Sequence, residues 1–328
     1  MKTANIKLLR AIRKLLRTMF PKFMHAYELS HKHSGEVEED LLPIVVDRQR
    51  DAVDVGAYVG SYTVALAKLA RVVHAFEPDV ELATLLRRAT ASNVRVSNNA
   101  VSDRGGTTEF HVPLFEGRRE VTLGSLVAAP GRDQYVRIVG TTTLDADLPK
   151  SDVGFIKIDV EGAERSVLVG GRQLIARCRP VVLVEANTSD AVETISAFFE
   201  PLGYAGFFVR EGRTFGLSEF NADMQDPRLL EEPVPRRQMR FVNNFFFAPR
   251  DAETQLRDEM DRFLARESGV SVSLGLSEKL ISVMLGVSAA GRGGARSSTR
   301  HPAPARRTLP SGSAPCFGSR VPRPTVSG

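Results

Sequence analysis

The chain has 328 residues, 42% of them hydrophobic, so it is long enough to bury a full core. Its two cysteines, Cys178 and Cys316, have no CxxC spacing and no neighbouring histidine cluster, which argues against a zinc site and a disulfide framework. The formal charge of +5 arises at the two ends: residues 1–33 and 287–328 each carry +7, which leaves the rest of the chain at about −9. The net charge therefore does not predict nucleic-acid binding.

The N-terminal segment is predicted to be a basic amphipathic helix followed by a linker, over residues 1–34. Apolar residues recur at helical spacing from Ile6 to Phe20 among lysines and arginines, and Pro21 is expected to end the helix. The helix either docks on the domain or makes reversible contact with an anionic membrane surface. No signal-peptide core and no apolar span of roughly 20 residues is present, so we expect a cytoplasmic protein, peripheral at most to the inner face of a membrane.

Short apolar runs alternate with helical segments between residues 35 and 250. The predicted strands are 51–55, 72–76, 94–97, 153–158, 180–185, 204–209 and 241–247, and the predicted helices are 58–69, 80–89, a helix from about 163, and 191–199. This alternation predicts a doubly wound α/β domain with a mostly parallel sheet. A segment rich in Gly, Arg and Pro, at about 113–135, is interpreted as an insertion.

Two further segments follow the α/β domain. Residues 251–286 are predicted to be a helical extension, with a polar helix from about Asp251 to Glu267. Residues 287–328 are dominated by Ser, Arg, Pro, Gly and Ala and lack the aliphatic side chains that a core needs, which predicts a disordered tail.

A cofactor site is predicted where the first strand meets the first helix, at Asp54, Gly56, Ala57 and Gly60. Glycines there permit a sharp turn and close approach of a ligand to the backbone. A dinucleotide fingerprint would need glycines at 54, 56 and 59, but two of the three positions fail. An acid at the strand end repels a pyrophosphate and suits the ammonium and sulfonium groups of S-adenosylmethionine.

Polar residues also end the next two predicted strands. Glu77 stands 23 residues after Asp54, where a carboxylate can accept hydrogen bonds from both ribose hydroxyls. Asn99 and Asp103 follow the third strand, where they are candidates for binding the adenine edge. Turn or cap chemistry alone would also explain each of these residues.

Five motifs in order resemble the FkbM family of methyltransferases. They are Val53–Gly60, Phe76–Pro78, Ala100–Asp103, Thr143–Asp145 and Phe155–Glu164, which reads FIKIDVEGAE. The resemblance covers roughly residues 36–247 and implies a class I methyltransferase-like, Rossmann-like fold. It also implies S-adenosylmethionine as cofactor and a hydroxyl of a sugar, glycolipid or secondary metabolite as methyl acceptor. Tyr58 departs from the family pattern, which usually has Asn there, so a polar contact near the cofactor is in doubt.

The acceptor is expected to meet the carboxyl end of the strand that carries Lys157 and Asp159. We predict Asp159 as the acid that faces the acceptor, Glu161 as the second candidate, and Lys157 as an electrostatic partner or a buried ion-pair member. Asp159, Glu185 and Asn187 supply oxygen atoms that a divalent cation would accept, but three such donors are too few to predict a metal.

The expected partner is therefore a small-molecule or glycan acceptor rather than nucleic acid. Two other interpretations stay open: a catalytically silent nucleotide-binding α/β domain, and a nicotinamide-dependent oxidoreductase, which the glycine spacing disfavours.

Overall fold

The computed structural model describes residues 16, 19–31, 36–115, 118–119, 123–128, 131, 133–231 and 234–267. The helices in this part of the chain are α1 (Pro21–His31), α2 (Val37–Val45), α3 (Ser61–Ala67), α4 (Val80–Ala89), α5 (Leu144–Asp147), α6 (Glu164–Gly170), α7 (Arg172–Cys178), α8 (Ser189–Phe199) and α9 (Arg250–Glu267). The strands are β1 (Asp51–Val55), β2 (Val73–Phe76), β3 (Val94–Ser97), β4 (Ala100–Val101), β5 (Gly106–Phe115), β6 (Arg118–Arg119), β7 (Gln134–Thr142), β8 (Val153–Ile158), β9 (Val181–Glu185), β10 (Tyr204–Arg210), β11 (Arg213–Gly216) and β12 (Asn244–Pro249).

The main sheet has eight strands in the order β11-β10-β12-β9-β8-β1-β2-β3. The five strands from β9 to β3 are parallel, and β12 pairs antiparallel with both β9 and β10. The chain leaves β1 towards β2 and β3, and then returns to the other side of β1 through β8. This reversal of strand order creates a crevice at the carboxyl ends of β1 and β8. The predicted doubly wound α/β class is confirmed.

Both faces of the sheet are covered by helices, and the side chains of each central strand alternate between them. Ile156 and Ile158 pack in one core with residues of α6, α7 and α8, and Phe155 packs in the other with residues of α2, α3 and α9. The same alternation sends Phe245 and Phe247 of β12 to the first core and Phe246 to the second. Each of these phenylalanines is at most 1% exposed.

The segment predicted as an insertion is part of a long β-hairpin. β5 and β7 pair antiparallel from Gly106 opposite Thr141 to Pro113 opposite Gln134. Together with β4 and β6 they form a second, four-stranded sheet. The hairpin is tied to the main domain because Arg137 forms an ion pair with Asp79, at a distance of 3.1 Å, and donates a hydrogen bond to the carbonyl of Pro78.

Near the N-terminus, Leu16 and Met19 are helical, Phe20 is not, and a separate helix, α1, begins at Pro21. The prediction that the first helix ends at Pro21 is therefore confirmed. The amide of Phe20 donates to the carbonyl of Leu16 at 2.8 Å, and that of Met24 donates to Phe20 at 2.9 Å. Pro21 occupies the first position of α1, where a missing N–H is tolerated. Most of the predicted helix, residues 1–15, lies outside the described residues.

The helix at the other end of the domain, α9, matches the predicted polar helix and packs against the sheet through Met260 and Leu264, which are at most 1% exposed. Residues 268–328, which include the predicted tail, lie outside the described part of the chain. Within the described residues, each helix is too short or too polar to cross a membrane.

Candidate active site

A cavity of about 290 Å³ opens at the carboxyl ends of the central strands, at the reversal of strand order. Its floor comes from the ends of β1, β2 and β8, and its cover comes from the hairpin sheet. The lining residues are Val55, Gly56, Tyr58, Phe76, Glu77, Pro78, Ala100, Val101, Phe110, Gly124, Ser125, Leu126, Asp159, Val160 and Glu161. Most of the walls are apolar, and three carboxylates face into this space, which is the usual character of a small-molecule site.

Gly56 is the point at which the β1 loop meets the β8 loop. A Cβ atom added to Gly56 would overlap the carbonyl oxygen of Asp159, and the backbone has φ +84°. The amide of Asp159 donates to the carbonyl of Val55 at 3.0 Å. The two loops therefore approach so closely that only glycine fits.

Two other residues of the predicted turn, Ala57 and Gly60, shape the loop but do not line the cavity. Gly60 has φ +88° and precedes α3, and Ala57 is buried. Tyr58 lines the cavity and has φ +49°, in the left-handed region where Asn is strongly favoured over other non-glycine residues. These positive φ values also delay the start of α3 to Ser61.

Glu77 lies in the cavity wall, as predicted for the second strand end. Its two carboxylate oxygens accept hydrogen bonds from the amides of Tyr58 and Asp79, each at 2.7 Å. Burial raises the pKa of Glu77 to about 7, although both hydrogen bonds oppose the shift. Each oxygen keeps a second lone pair that a hydroxyl group can use.

Asp54 lies beneath the loop rather than in the cavity wall. It is 2% exposed and accepts a hydrogen bond from the hydroxyl of Thr63. It stands directly opposite Lys157 in the pairing of β1 with β8. Burial raises the pKa of Asp54 to about 6. The hydrogen bond from Thr63 holds α3 against β1.

Asn99 and Asp103 do not line the cavity. The side-chain oxygen of Asn99 lies against the backbone at Gly140 in β7, and Asp103 is exposed and bonded to the hydroxyl of Ser102. Both residues follow β3, as predicted. The chain turns into β4 and the hairpin at this point, so hairpin contacts account for the Asn.

The side chains on β8 divide between the core and the cavity. Lys157 is 1% exposed, and its ammonium lies 3.0 Å from the side-chain oxygen of Asn244 and 3.9 Å from the carboxylate of Asp159. It also lies 5.1 Å from the centre of the Tyr62 ring. Burial opposes its charge, but the surrounding carboxylates, Asp159 first, raise the pKa of Lys157 above its usual value. Lys157 is thus a buried cation that pairs with Asp159, which faces the cavity.

Acidic groups crowd around Asp159, and burial shifts their titration upward. Burial first, and then the charge of Asp159, raises the pKa of Glu161 to about 7 and that of Glu185 to about 9. Burial also raises the pKa of Glu164, whose carboxylate accepts from the amide of Gly162 at 2.8 Å. Near neutral pH, Glu161 is therefore poised to exchange a proton. Among the described residues, no group of three or more His, Cys, Asp or Glu is arranged to hold a metal ion.

Glu161 stands between this cavity and a second one. It has φ +54°, and its carbonyl accepts a hydrogen bond of 2.6 Å from the hydroxyl of Ser125 in the hairpin. The second cavity, of about 260 Å³, is lined by His111, Pro113, Leu123, Ser125, Val127, Ala128, Gln134 and Glu161. The hairpin therefore supplies the wall that the two cavities share.

The sequence patterns did not identify the hairpin contribution to the site. Phe110, Ser125 and Leu126 line the cavity but belong to no motif. Asn244, the partner of Lys157, lies 87 residues away along the chain. Its only sequence signal is a polar pair, Asn243 and Asn244, placed directly before the apolar run Phe245–Phe247.

The family model described as Methyltransferase FkbM domain matches residues 54–205, which are slightly less than half of the chain. A search of curated protein sequences finds no match. The family match confirms the predicted resemblance over these residues and supports S-adenosylmethionine as the cofactor.

Several solved structures are similar to the chain. The methyltransferase FkbM from Methylobacillus flagellatus KT is 19% identical with a TM-score of 0.39, over 61% of this chain and 44% of that one. The precorrin-6y C5,15-methyltransferase from Geobacter metallireducens GS-15 is 18% identical with a TM-score of 0.32, over 63% of this chain and 83% of that one. TYW2 from M. jannaschii, solved in complex with AdoMet, is 12% identical with a TM-score of 0.27, over 52% and 64%. The aligned region spans less than half of the Methylobacillus chain.

The contact between Gly56 and Asp159 predicts a large loss of stability in Gly56→Ala. Gly203 is the matched control, because it also has a positive φ, +75°, but a Cβ there would meet no atom within 4 Å. We expect Gly203→Ala to lower the free energy of unfolding by about 1 kcal/mol, the conformational cost alone. Gly56→Ala should lower it by about 3 kcal/mol or more, because the added methyl displaces the β8 loop. Urea unfolding measures both, and equal losses would contradict the close contact.

The buried acids predict that the unliganded protein becomes less stable as the pH rises. The pKa of Glu77 is raised from 4.5 to about 7 on folding. The folded chain thus keeps a proton that the unfolded chain releases above pH 4.5, and the resulting stabilisation is lost as the pH rises through about 7. Asp54, Glu161 and Glu185 shift in the same direction. In Glu77→Gln, the free energy of unfolding should fall less steeply between pH 4.5 and about 7, as measured by urea unfolding across this range. Glu193→Gln, at an exposed site on α8, should leave the slope unchanged.

Proposed function

We propose that this chain transfers a methyl group from S-adenosylmethionine to a hydroxyl oxygen of a small, sugar-containing or lipid-linked acceptor. The proposal rests on one observation. Glu77, the backbone of Gly56, and the acids Asp159 and Glu161 line the same cavity. A nicotinamide-dependent oxidoreductase is disfavoured because positions 54 and 59 lack the glycines of a dinucleotide site.

The residues around the cavity fit the cofactor. Glu77 offers carboxylate lone pairs to a ribose diol, and Gly56 leaves its backbone open to a ligand. Val101, Phe110 and Leu126 form an apolar wall suited to a planar purine ring. When bound, S-adenosylmethionine supplies an activated methyl group. The chain's own residues provide its binding and the alignment of the acceptor.

On the acceptor side, the acids have separate tasks. In the transfer, the bond between sulfur and methyl breaks as the acceptor oxygen forms a bond to that methyl, and the hydroxyl proton leaves. Asp159, paired with Lys157, holds the hydroxyl by accepting its hydrogen bond. Glu161, whose pKa is raised by burial to about 7, takes the proton. The hairpin contact from Ser125 holds the backbone of Glu161 in the left-handed conformation that this role requires.

Cofactor binding is tested by calorimetric titration with S-adenosylmethionine and, separately, with NAD. We expect the wild type to bind the first and not the second. Glu77→Gln should weaken binding about tenfold or more, because an amide has one acceptor oxygen where the carboxylate has two. Glu193→Gln should bind like the wild type, and circular dichroism checks that all the proteins are folded. Binding of NAD alone, or unchanged affinity in Glu77→Gln, would contradict the proposed site.

The acceptor chemistry is tested with tritium-labelled S-adenosylmethionine and separated lipid, glycan, RNA and protein fractions. Label should enter the glycan or lipid fraction and should resist mild alkali, since methyl ethers survive it and methyl esters do not. Glu161→Gln should keep its cofactor affinity and lose about a hundredfold or more of the transfer rate. Label that enters RNA, or that alkali releases, would refute transfer to a hydroxyl of such an acceptor.

A further inference from the structure

An unpartnered apolar stripe lies on the N-terminal helical segment. Leu16, Met19, Phe20 and Phe23 lie within eight residues of the chain, on both sides of the point where α1 begins. They are 36%, 60%, 54% and 53% exposed. Three neighbouring bulky side chains more than half exposed are unusual in a domain whose other helices bury their apolar faces.

This segment is anchored to the domain. Met24 and His25 are 5% and 4% exposed, and the Nε2 atom of His25 lies 2.7 Å from the carbonyl oxygen of Val59. α1 packs against α4. Buried residues that follow the stripe directly along the chain therefore anchor this segment to the domain. One of those contacts reaches the loop that carries Gly56 and Gly60.

The part of the sequence that contains the stripe carries a strong positive charge. Residues 1–33 contain eight lysines and arginines and a single acid, Glu28, whereas the body of the chain carries about −9. Lys22 lies within the exposed segment itself. Cations beside an apolar face complement a bilayer surface, where anionic headgroups and acyl chains lie side by side. Pairing of two copies through the same stripe would bring two segments of +7 together, which is unfavourable.

We propose that the stripe formed by Leu16, Met19, Phe20 and Phe23 docks the protein reversibly on an anionic lipid surface. The aromatic side chains enter the interface between headgroups and acyl chains, and the basic residues of the segment lie against the headgroups. The docking goes beyond the proposed function, because it needs neither the cofactor nor methyl transfer.

The experiment is flotation of the full-length protein with lipid vesicles. One set consists of phosphatidylcholine, and the other contains about 30% phosphatidylglycerol as the anionic lipid. Wild type should float with the anionic vesicles and not with the neutral ones. Binding should fall about tenfold or more between about 0.1 M and about 1 M salt, because the screening length shortens from roughly 10 Å to roughly 3 Å.

Substitution of the stripe separates its apolar contribution from net charge. The double variant Phe20→Glu/Phe23→Glu should lose about tenfold or more of the vesicle binding. The control Val169→Glu/Leu230→Glu adds the same charge at exposed apolar positions elsewhere and should bind within about twofold of the wild type. Both should keep the wild-type melting temperature, since all four side chains are exposed.

Several results would overturn the proposal. These are no flotation of the wild type, equal flotation with neutral and anionic vesicles, and undiminished flotation of Phe20→Glu/Phe23→Glu. Sedimentation of the wild type as a dimer that this variant converts to a monomer would instead make a second copy the occupant of the stripe. Calorimetry with S-adenosylmethionine on the same variant shows separately whether cofactor binding is intact.

Discussion

The close approach of Gly56 to the carbonyl of Asp159 is the contact on which the site depends. It joins the loop after β1 to the loop after β8, and the two strands on either side of it are paired in register. The proposed cofactor side and the proposed acceptor side of the cavity are therefore fixed to each other by backbone and sheet, not by flexible side chains. Such rigidity is what a displacement reaction needs, since its rate depends on alignment of the reacting atoms.

The hairpin of β5 and β7 converts this crevice into a cavity. It contributes Phe110, Ser125 and Leu126 to the lining and is held in place by the ion pair between Arg137 and Asp79. Burial is the largest cause of the raised pKa of Glu77. The cover that shields a ligand from water thus also makes acidic groups in the site titrate near neutral pH.

Some buried polar groups stabilise the fold, although their positions beside the cavity resemble those of functional residues. Asp54 and Lys157 stand at strand ends beside the cavity, yet each is nearly inaccessible and is satisfied by partners within the protein: Thr63 for Asp54, and Asn244 and Asp159 for Lys157. Removal of either partner would leave a buried charge or polar group unpaired, which is costly. Their proximity to the site therefore reflects how the site is supported.

The sequence by itself determined the alternation of strands and helices, the glycine turn after β1, the position of Glu77 at a strand end, and the resemblance to the FkbM family. These features depend on local periodicity and on short motifs, which are readable one segment at a time. Only the tertiary structure decided that Asp54 lies beneath the loop, that Asn99 contacts β7, and that β5 and β7 pair as a hairpin over the cavity. It also decided that a second helix, α1, begins at Pro21 and packs against α4. Each of these outcomes depends on contacts between distant segments or on burial, which spacing along the chain does not encode.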